Sequence, residues 1–383
     1  MRISHISIIP EYSPGIFKKI EEKAKISKKE EMGIDFYLIN PSVSYTDDNL
    51  YVIQVSYGKI PSTFLRKSVF RAFKILNLKK YIPLDQYDAI VLRYPLVDGF
   101  GTIKFSKQYG HKMFTEHHSD EVSELLAVGR PIDIIRAYLE KKLAAKFLSN
   151  IKGIIGVTDE IRKLQLIKAH KKLCSTVIAN GINPKNYSYA GFTPFDGKNL
   201  KLIFSASQFY PWHGLEKLLK LLKNYQGKAQ IHLKLIGRLS KEQKKIIYNI
   251  KNPNVNIELV GFINGKYLDL HMKNVNLAIS SLALSAKNMK EACTLKSREY
   301  IVRGIPFVYA YKDPDLTGEE TFAKRFQEDN ITIEAIMEFA RFITKNKVLV
   351  EEELKKYVDI VSLKNKLIMM KNFVKKCLEN NVY

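Results

Sequence analysis

Two α/β domains in tandem, each a parallel sheet with helices on both faces, are the fold class this sequence predicts. Three observations carry that reading. Short β-rich runs alternate with helical stretches from the first residues onward, the pattern of a parallel sheet covered by helices. The alternation stops at a turn-rich segment, AGFTPFDGKN at 190–199, and then begins again. The chain has 383 residues, 46% hydrophobic and 26% charged, which is too much apolar material for a disordered chain and enough for more than one core.

Taken in order, 2–9 (RISHISII), 34–40 (IDFYLIN), 50–57 (LYVIQVSY), 87–93 (YDAIVLR), 111–117 (HKMFTEH), 153–158 (GIIGVT) and 174–180 (CSTVIAN) read as strands. Helical stretches at 15–32, 62–80, 101–110, 130–150 and 159–172 lie between them, each with apolar residues at helical spacing. That half is one Rossmann-like domain, expected over 1–190. In the second half, 201–206, 231–236, 255–260, 275–280 and 305–310 read as strands, and 213–225, 240–251, 264–273, 294–303 and 317–327 as helices. They give a second Rossmann-like domain, expected over 191–355. The tail from about 332 is all helical, with 356–383 crossing back onto the N-terminal domain. Two such domains predict a cleft between the C-terminal edges of their sheets, where ligands of these folds bind.

Charge narrows the partners. The chain has 62 Lys and Arg against 39 Asp and Glu, a formal +23, which predicts attraction to phosphate in nucleic acid, an anionic membrane surface or a small molecule. The excess is +11 over 1–190 and +12 over 191–383, so there is no basic tail or dedicated basic module. Only Cys174, Cys293 and Cys377 occur, too few and too scattered for a disulfide framework or a zinc cluster. The N-terminal apolar run stops at Pro10, and no stretch approaches the roughly 20 apolar residues of a membrane span. The expectation is a soluble, cytoplasmic protein able to rest peripherally on the inner face of a membrane.

The most informative segment is EACTLKSREYIVRGIPFV at 291–308. Thr294 is a candidate N-cap for a helix stopped by Gly304, which puts Glu291 before the helix and Glu299 on its second turn. The free N–H groups of Thr294, Leu295 and Lys296 would point toward the cleft, with the Lys296 side chain adding a cation. A helix N-terminus of this kind is an anion site, and carboxylates on either side suit the hydroxyl groups flanking a diphosphate.

A Glu, seven residues and a Glu, followed by a helix ending in Gly-Ile-Pro-Phe-Val, resembles the nucleotide-sugar signature of retaining glycosyltransferases with the GT-B fold, the group 1 type. LKSREY together with WHG at 212–214 is similar to variants in bacterial polysaccharide biosynthesis. The resemblance extends over essentially the whole chain, including the NGI loop at 180–182, which brings Asn180 to the domain junction. It implies that Glu291 binds donor-sugar hydroxyls, that Glu299 accepts both ribose hydroxyls, and that the backbone of Cys293, Thr294 and Leu295 cradles the diphosphate. Cys293 is then a small filler with no thiol chemistry.

Other segments take roles from the same resemblance. Relatives place an Arg and a Lys on the diphosphate where this chain has Gln208 and His213, so the phosphate charge falls to Lys296, Arg298, Arg238 or protonated His213. Trp212 reads as a packing residue. Within MFTEHHSDEVSEL at 113–125, either His117 or His118 matches a sugar-contacting His. Glu116, Asp120, Glu121 and Glu124 crowd the same loop and could bind acceptor hydroxyls or take a proton. In PEYSPGI at 10–16, Gly15 opens a helix where a ligand could approach the backbone. Asp313-Pro314-Asp315 reads as a solvated turn rather than a metal-binding triplet, and no phosphate-loop or dinucleotide fingerprint occurs. Residues 63–82 carry Arg66, Lys67, Arg71, Lys74, Lys79 and Lys80 with no acid, interleaved with aromatic and aliphatic residues. They read as an amphipathic basic helix suited to anionic lipid.

The expectation is therefore a metal-independent retaining hexosyltransferase without a cofactor. It would move a sugar from a nucleotide diphosphate to a glycan or lipid-linked acceptor hydroxyl. The rivals are a sugar-nucleotide epimerase on the same fold and a basic nucleic-acid-binding protein. The second lacks a helix-turn-helix and an RNA-binding aromatic signature.

Overall fold

The computed structural model describes residues 1–9, 14–47, 49–55, 78–97, 100–128, 130–263 and 265–379. They form two compact units, Met1–Ala179 with Leu363–Tyr383, and Asn180–Ser362. The boundaries fall after Ala179 and Ser362, not after 190 and 355, because residues 180–191 are tied into the second unit. The Ile182 N–H donates to the Val361 carbonyl at 3.0 Å, and those of Ala190 and Gly191 donate to the Arg303 carbonyl at 2.9 Å.

The first unit contains β1 (Ile3–Ile8), β2 (Ile34–Asn40), β3 (Tyr45–Asp47), β4 (Leu50–Gln54), β5 (Ala89–Arg93), β6 (Met113–His117), β7 (Gly153–Gly156) and β8 (Cys174–Val177). They lie in the order β3-β4-β2-β1-β5-β6-β7-β8, all parallel except the β3–β4 hairpin. Its helices are α1 (Pro14–Lys29), α2 (Phe100–Tyr109), α3 (Glu121–Val128), α4 (Pro131–Leu148) and α5 (Asp159–Ala169). Strand alternation sorts the side chains. Ile6, Ile8, Ile90, Leu92 and Met113 face a core closed by α2 and α4. Ile3, Phe36, Val91 and Phe114 face one closed by α1 and the C-terminal helix Leu363–Glu379, which contributes Leu367, Met370, Val374 and Cys377. That helix brings Cys377 onto Cys174, so two scattered thiols meet, and burial pushes the Cys377 thiol up to about 12.

The second unit contains β9 (Asn199–Gln208), β10 (Gln230–Arg238), β11 (Val255–Gly261), β12 (Leu277–Ile279), β13 (Phe307–Tyr309) and β14 (Ala323–Arg325). All are parallel, in the order β11-β10-β9-β12-β13-β14. Helices α6 (Leu215–Lys223), α7 (Lys241–Tyr248), α8 (Gly265–His271), α9 (Leu295–Val302), α10 (Ile333–Lys345) and α11 (Lys347–Ile360) cover it, and α12 (Leu363–Glu379) belongs to the first unit. The α/β architecture of two parallel-sheet domains is thus the expected one. In each sheet the winding reverses beside the first strand, between β1 and β5 and between β9 and β12. Open α/β sheets bind ligands at the C-terminal edge of such a reversal.

Three elements differ from the sequence reading. The helix expected at 317–327 is a turn followed by β14. Glu320 accepts from the Thr317 hydroxyl and the Gly318 N–H, which holds the turn, and Ala323 then pairs with Phe307 as the sixth strand. The acidic loop after β6 contains α3. The hairpin strand β3 carries no apolar alternation and was not anticipated. The basic helix expected over 62–80 lies outside the described residues as far as Asn77, and Leu78–Lys80 form a single 3₁₀ turn. No described helix is long and apolar enough to cross a membrane.

Candidate functional site

In the second unit the site is assembled around the N-terminus of α9. Thr294 caps the helix, its hydroxyl accepting from the Ser297 N–H at 3.4 Å. At the other end Gly304 has φ +72°, and the Ile305 N–H reaches back to the Tyr300 carbonyl at 2.9 Å. A left-handed glycine with this bond is a favoured helix stop. Tyr300, fully buried, aims the helix. Its hydroxyl donates to the Ile279 carbonyl of β12 at 3.1 Å and accepts from the Ser205 N–H of β9 at 3.3 Å. It therefore pins α9 to the two strands that flank the reversal.

Beneath the first turn lies a cluster that the sequence reading did not find. The hydroxyls of Ser280, Thr294, Ser297 and Tyr311 lie 2.6–3.3 Å from one another. Ser280 follows β12 and Tyr311 follows β13, so this knot fixes the helix N-terminus to the strand ends. The only sequence signal was hydroxyl residues at the ends of two predicted strands, Ser280 as the last residue of one and Tyr311 just after the other. The Leu295 and Lys296 N–H groups of the first turn have no partner among the described residues. First-turn N–H groups have no intrahelical acceptor and attract anions.

Lys296 is the unusual group. Its ammonium is buried, has no hydrogen-bond partner among the described residues and lies 5.1 Å from the centroid of the Phe204 ring on β9. Burial draws its pKa down to about 7, opposed by the charge of Glu299. His213, by contrast, is held neutral. Burial first, then Lys296 and Lys287, lower its pKa to about 3, and its Nδ1 accepts from the Tyr210 N–H at 3.2 Å. Without a bound anion, then, His213 is a neutral acceptor at this turn. Gly214 of the WHG segment has φ +75°, and a Cβ there would lie 2.9 Å from Leu282 Cβ. Only glycine lets the 211–213 turn close against the loop after β12, where the Leu282 N–H donates to the His213 carbonyl at 2.9 Å. Trp212 stacks on Tyr210 at 4.6 Å, a packing contact.

The remaining second-unit candidates divide. Glu299 is partly exposed on the second turn of α9. Glu291 is bound to Lys312 at 3.0 Å, an ion pair with Glu291 largely enclosed and Lys312 exposed. Cys293 is buried, and its sulfur accepts from the Asn180 N–H at 2.7 Å; burial pushes the thiol up to about 11, in keeping with a filler. Asn180 also donates its side-chain amide to the Cys293 carbonyl at 3.0 Å, so the NGI loop clips the loop leading into α9. Leu295 is exposed, as are Gln208 at the end of β9 and Arg238 at the end of β10, where the guanidinium lies over Phe262.

Arg298 is not a phosphate ligand. It is fully buried and clamps both Asp313 and Asp315, at 2.6 and 2.7 Å through one nitrogen. The DPD segment is accordingly no solvated turn: Asp313 is buried beneath Arg298.

In the first unit, strand alternation in β6 separates the predicted residues. Glu116 turns toward the α1 face, and its carboxylate lies 3.1 Å from both His5 of β1 and Lys23 of α1 and 3.3 Å from His118. Although burial pushes the Glu116 carboxyl up, Lys23 and His118 hold it well below the usual range. His117 turns the other way and is sealed. Its Nε2 meets Thr115 Oγ1 at 2.9 Å and its Nδ1 meets Glu121 at 3.3 Å, while the Tyr94 ring packs at a tilt against it, centroids 4.2 Å apart. It has no surface to offer a substrate, so only His118, partly exposed, keeps access. Burial and then Arg93 lower the His118 pKa to about 3. Glu121 is occupied by His117, by Gln165 at 2.9 Å and by Lys168 at 3.4 Å. Asp120 accepts from Lys168, also at 3.4 Å. Gly15 sits in the first turn of α1, where a Cβ would meet nothing within 4 Å, and Pro10–Ser13 lie outside the described residues. Sequence reasoning missed Glu140, fully buried behind this cluster. It accepts from the Tyr94 hydroxyl and the Val97 N–H, each at 2.7 Å.

No protein-family model matches the chain, and no curated protein is significantly similar in sequence. Solved structures are similar over nearly its full length. Sucrose-phosphate synthase from Thermosynechococcus elongatus matches with a TM-score of 0.66 at 16% identity, covering 99% of this chain and 100% of its own. WaaG, a glycosyltransferase involved in lipopolysaccharide biosynthesis, matches at 0.64 and 14%, covering 97% and 99%. Anabaena HepE in complex with UDP and glucose matches at 0.59 and 13%, covering 98% and 99%. With the strand order of both sheets, these likenesses establish that the chain has the GT-B fold.

Proposed function

We propose that this protein is a retaining glycosyltransferase that takes a hexose from a nucleotide diphosphate and gives it to a hydroxyl of a glycan or lipid-linked acceptor in cell-surface polysaccharide assembly. The second unit binds the donor and the first the acceptor. The observation that carries this reading is the Lys296 ammonium, buried without a hydrogen-bond partner among the described residues beside the open N–H groups that begin α9. A buried lysine left in this state is poised for an anion, and a diphosphate supplies the oxygens it lacks. Glu299, on the same helix, accepts ribose hydroxyls, and Glu291 meets the sugar.

The chemistry is electrostatic. As the bond from the anomeric carbon to the diphosphate breaks, negative charge grows on the leaving oxygen. The Leu295 and Lys296 N–H groups and the Lys296 ammonium are already fixed to receive it. The acceptor hydroxyl attacks from the face the diphosphate leaves and gives up its proton, so the configuration at the sugar is retained. No step requires a metal ion, since the fixed cation and the helix end do the neutralising. His118 and Glu116, which share one rim of the first unit, orient the acceptor.

HepE was solved with UDP and glucose, and a uridine diphosphate sugar is the first donor to try. Peripheral membrane contact is part of the proposal. On α4, Ile134, Ile135 and Tyr138 are at least half exposed, and Lys141 and Lys142 follow on the same helix, an apolar and basic face suited to anionic lipid. A thermal-shift screen over uridine, guanosine and adenosine diphosphate sugars tests the reading, because a ligand that binds only the folded state raises its melting temperature. NMR of the glycoside formed then reads the anomeric configuration. No shift with any nucleotide sugar would remove the donor site, and an inverted product would remove the retaining mechanism.

A further inference from the structure

The first unit has a cavity of about 380 Å³ at the C-terminal edge of its sheet, beside the β1/β5 reversal. That volume lies within the range of small-molecule sites. Its charged lining is Arg93, Arg130 and Arg136 with Glu121, Glu124 and Asp133. Most of these charges answer one another. Asp133 is fully buried between Arg130 at 2.5 Å and Arg136 at 3.6 Å. Glu121 is held by His117, Gln165 and Lys168.

Arg93 is different. It is the last residue of β5, half-buried, and among the described residues its guanidinium has no hydrogen-bond or ion-pair partner. Glu116 and Glu124 act on it only through space, and burial lowers its pKa. A guanidinium has five N–H donors in a fixed planar fork that matches phosphate or carboxylate oxygens, and leaving it unanswered in a cavity is costly. The cavity therefore offers a positive, directional and unfilled contact, whereas its carboxylates at Glu121 and Asp133 are spoken for.

We infer that this cavity is an anion subsite in which Arg93 grips a phosphate group on the acceptor, so that the acceptor is a phosphorylated molecule rather than a neutral sugar. The inference rests on the reading of the first unit as the acceptor side. The phosphate could belong to a soluble sugar phosphate or to a lipid headgroup, and the two have the same contact chemistry.

The test keeps the donor site out of the measurement. Inorganic phosphate is titrated calorimetrically, at constant ionic strength, into the full chain carrying Lys296→Met, with and without Arg93→Gln. Phosphate binding should persist in Lys296→Met and weaken at least about tenfold when Arg93→Gln is added, the loss of one charge-assisted contact. Arg93→Lys should restore much of it, which a merely misfolded variant would not do, and circular dichroism confirms the fold of each. Sedimentation with phosphatidylglycerol–phosphatidylcholine vesicles separates the sources. A parallel loss of vesicle binding on Arg93→Gln supports a lipid headgroup, and a loss confined to inorganic phosphate supports a soluble acceptor. Equal phosphate binding with and without Arg93→Gln overturns the subsite and leaves the donor reading intact. A donor reading that fails shows itself separately, as unchanged uridine diphosphate affinity in Lys296→Met.

Discussion

Lys296 holds its ammonium 5.1 Å from the centre of the Phe204 ring and has no hydrogen bond to any described residue. The ring's negative face replaces some of the lost hydration, but a cation on an aromatic face is stabilised by only about 0.5–2 kcal/mol, less than burial of a charge costs. The group is therefore half-titrated near neutrality, with its pKa at about 7.

Anion binding beside Lys296 should raise that pKa and draw in a proton. Uridine diphosphate binding at pH 8 should be accompanied by proton uptake, read by calorimetry in buffers of different ionisation enthalpy. Lys296→Met should abolish the uptake and weaken binding about tenfold or more. In the unliganded protein the folded pKa lies below the unfolded value of about 10.4, so stability falls as pH falls from about 10 to 7. Denaturation over that range should lose this slope in the variant.

Arg298→Met should be strongly destabilising, by about 3–5 kcal/mol, because it strands the carboxylates of Asp313 and Asp315. Urea unfolding measures the loss. Adding Asp313→Asn and Asp315→Asn should recover part of it. Full stability of the single variant would show that the clamp is not holding this loop.

Glu299→Ala should weaken nucleotide-sugar binding by about 1–3 kcal/mol, the range for hydrogen bonds to a charged group, with the melting temperature unchanged. Glu291→Ala should behave differently, since it also releases Lys312. Its effect should appear with the intact sugar nucleotide and not with the nucleoside diphosphate alone.

Glu140 supplies a pH signature. Burial, and next the charge of Glu121, raise its carboxyl to about 7. Its folded pKa is above the unfolded value near 4.3, so the folded state keeps a proton that the unfolded chain has lost. Stability therefore declines as pH rises from about 4.5 to 7, by about 3 kcal/mol in all. Glu140→Gln should flatten that decline in chemical denaturation at pH 5 and pH 7.5, and an unchanged slope would assign it to other groups.

The alternation of β-rich and helical runs was legible because each strand is bounded by turn residues, and the helix over 295–302 announced both its ends through Thr294 and Gly304. Residues 317–327 misled because Phe322, Ala323 and Phe326 are spaced as on a helix, while the contact that decides, Ala323 beside Phe307, is a pairing no local pattern shows. The site divided in the same way. Lys296 and Glu299 were visible as chemistry beside a capped helix. The burial of Arg298 was not, because its partners Asp313 and Asp315 lie across a strand and a turn. Nor could the sequence say which of two adjacent histidines faces inward until alternation in β6 was fixed by Thr115 bonding His117.

The packing of Leu367, Met370 and Val374 against Ile3 and Phe36 has a consequence for how the chain is made. The first unit is interrupted by the 183 residues of the second, Asn180–Ser362. At a synthesis rate of roughly 5–20 residues per second, about ten to forty seconds separate Ala179 from Leu363 on the ribosome. Through that interval the α1 face of the first sheet lacks the part of its apolar cover that Leu367, Met370 and Val374 supply, while the second unit, whose sequence is continuous, can finish folding. Of the two units, the one whose synthesis starts first is thus the last to close.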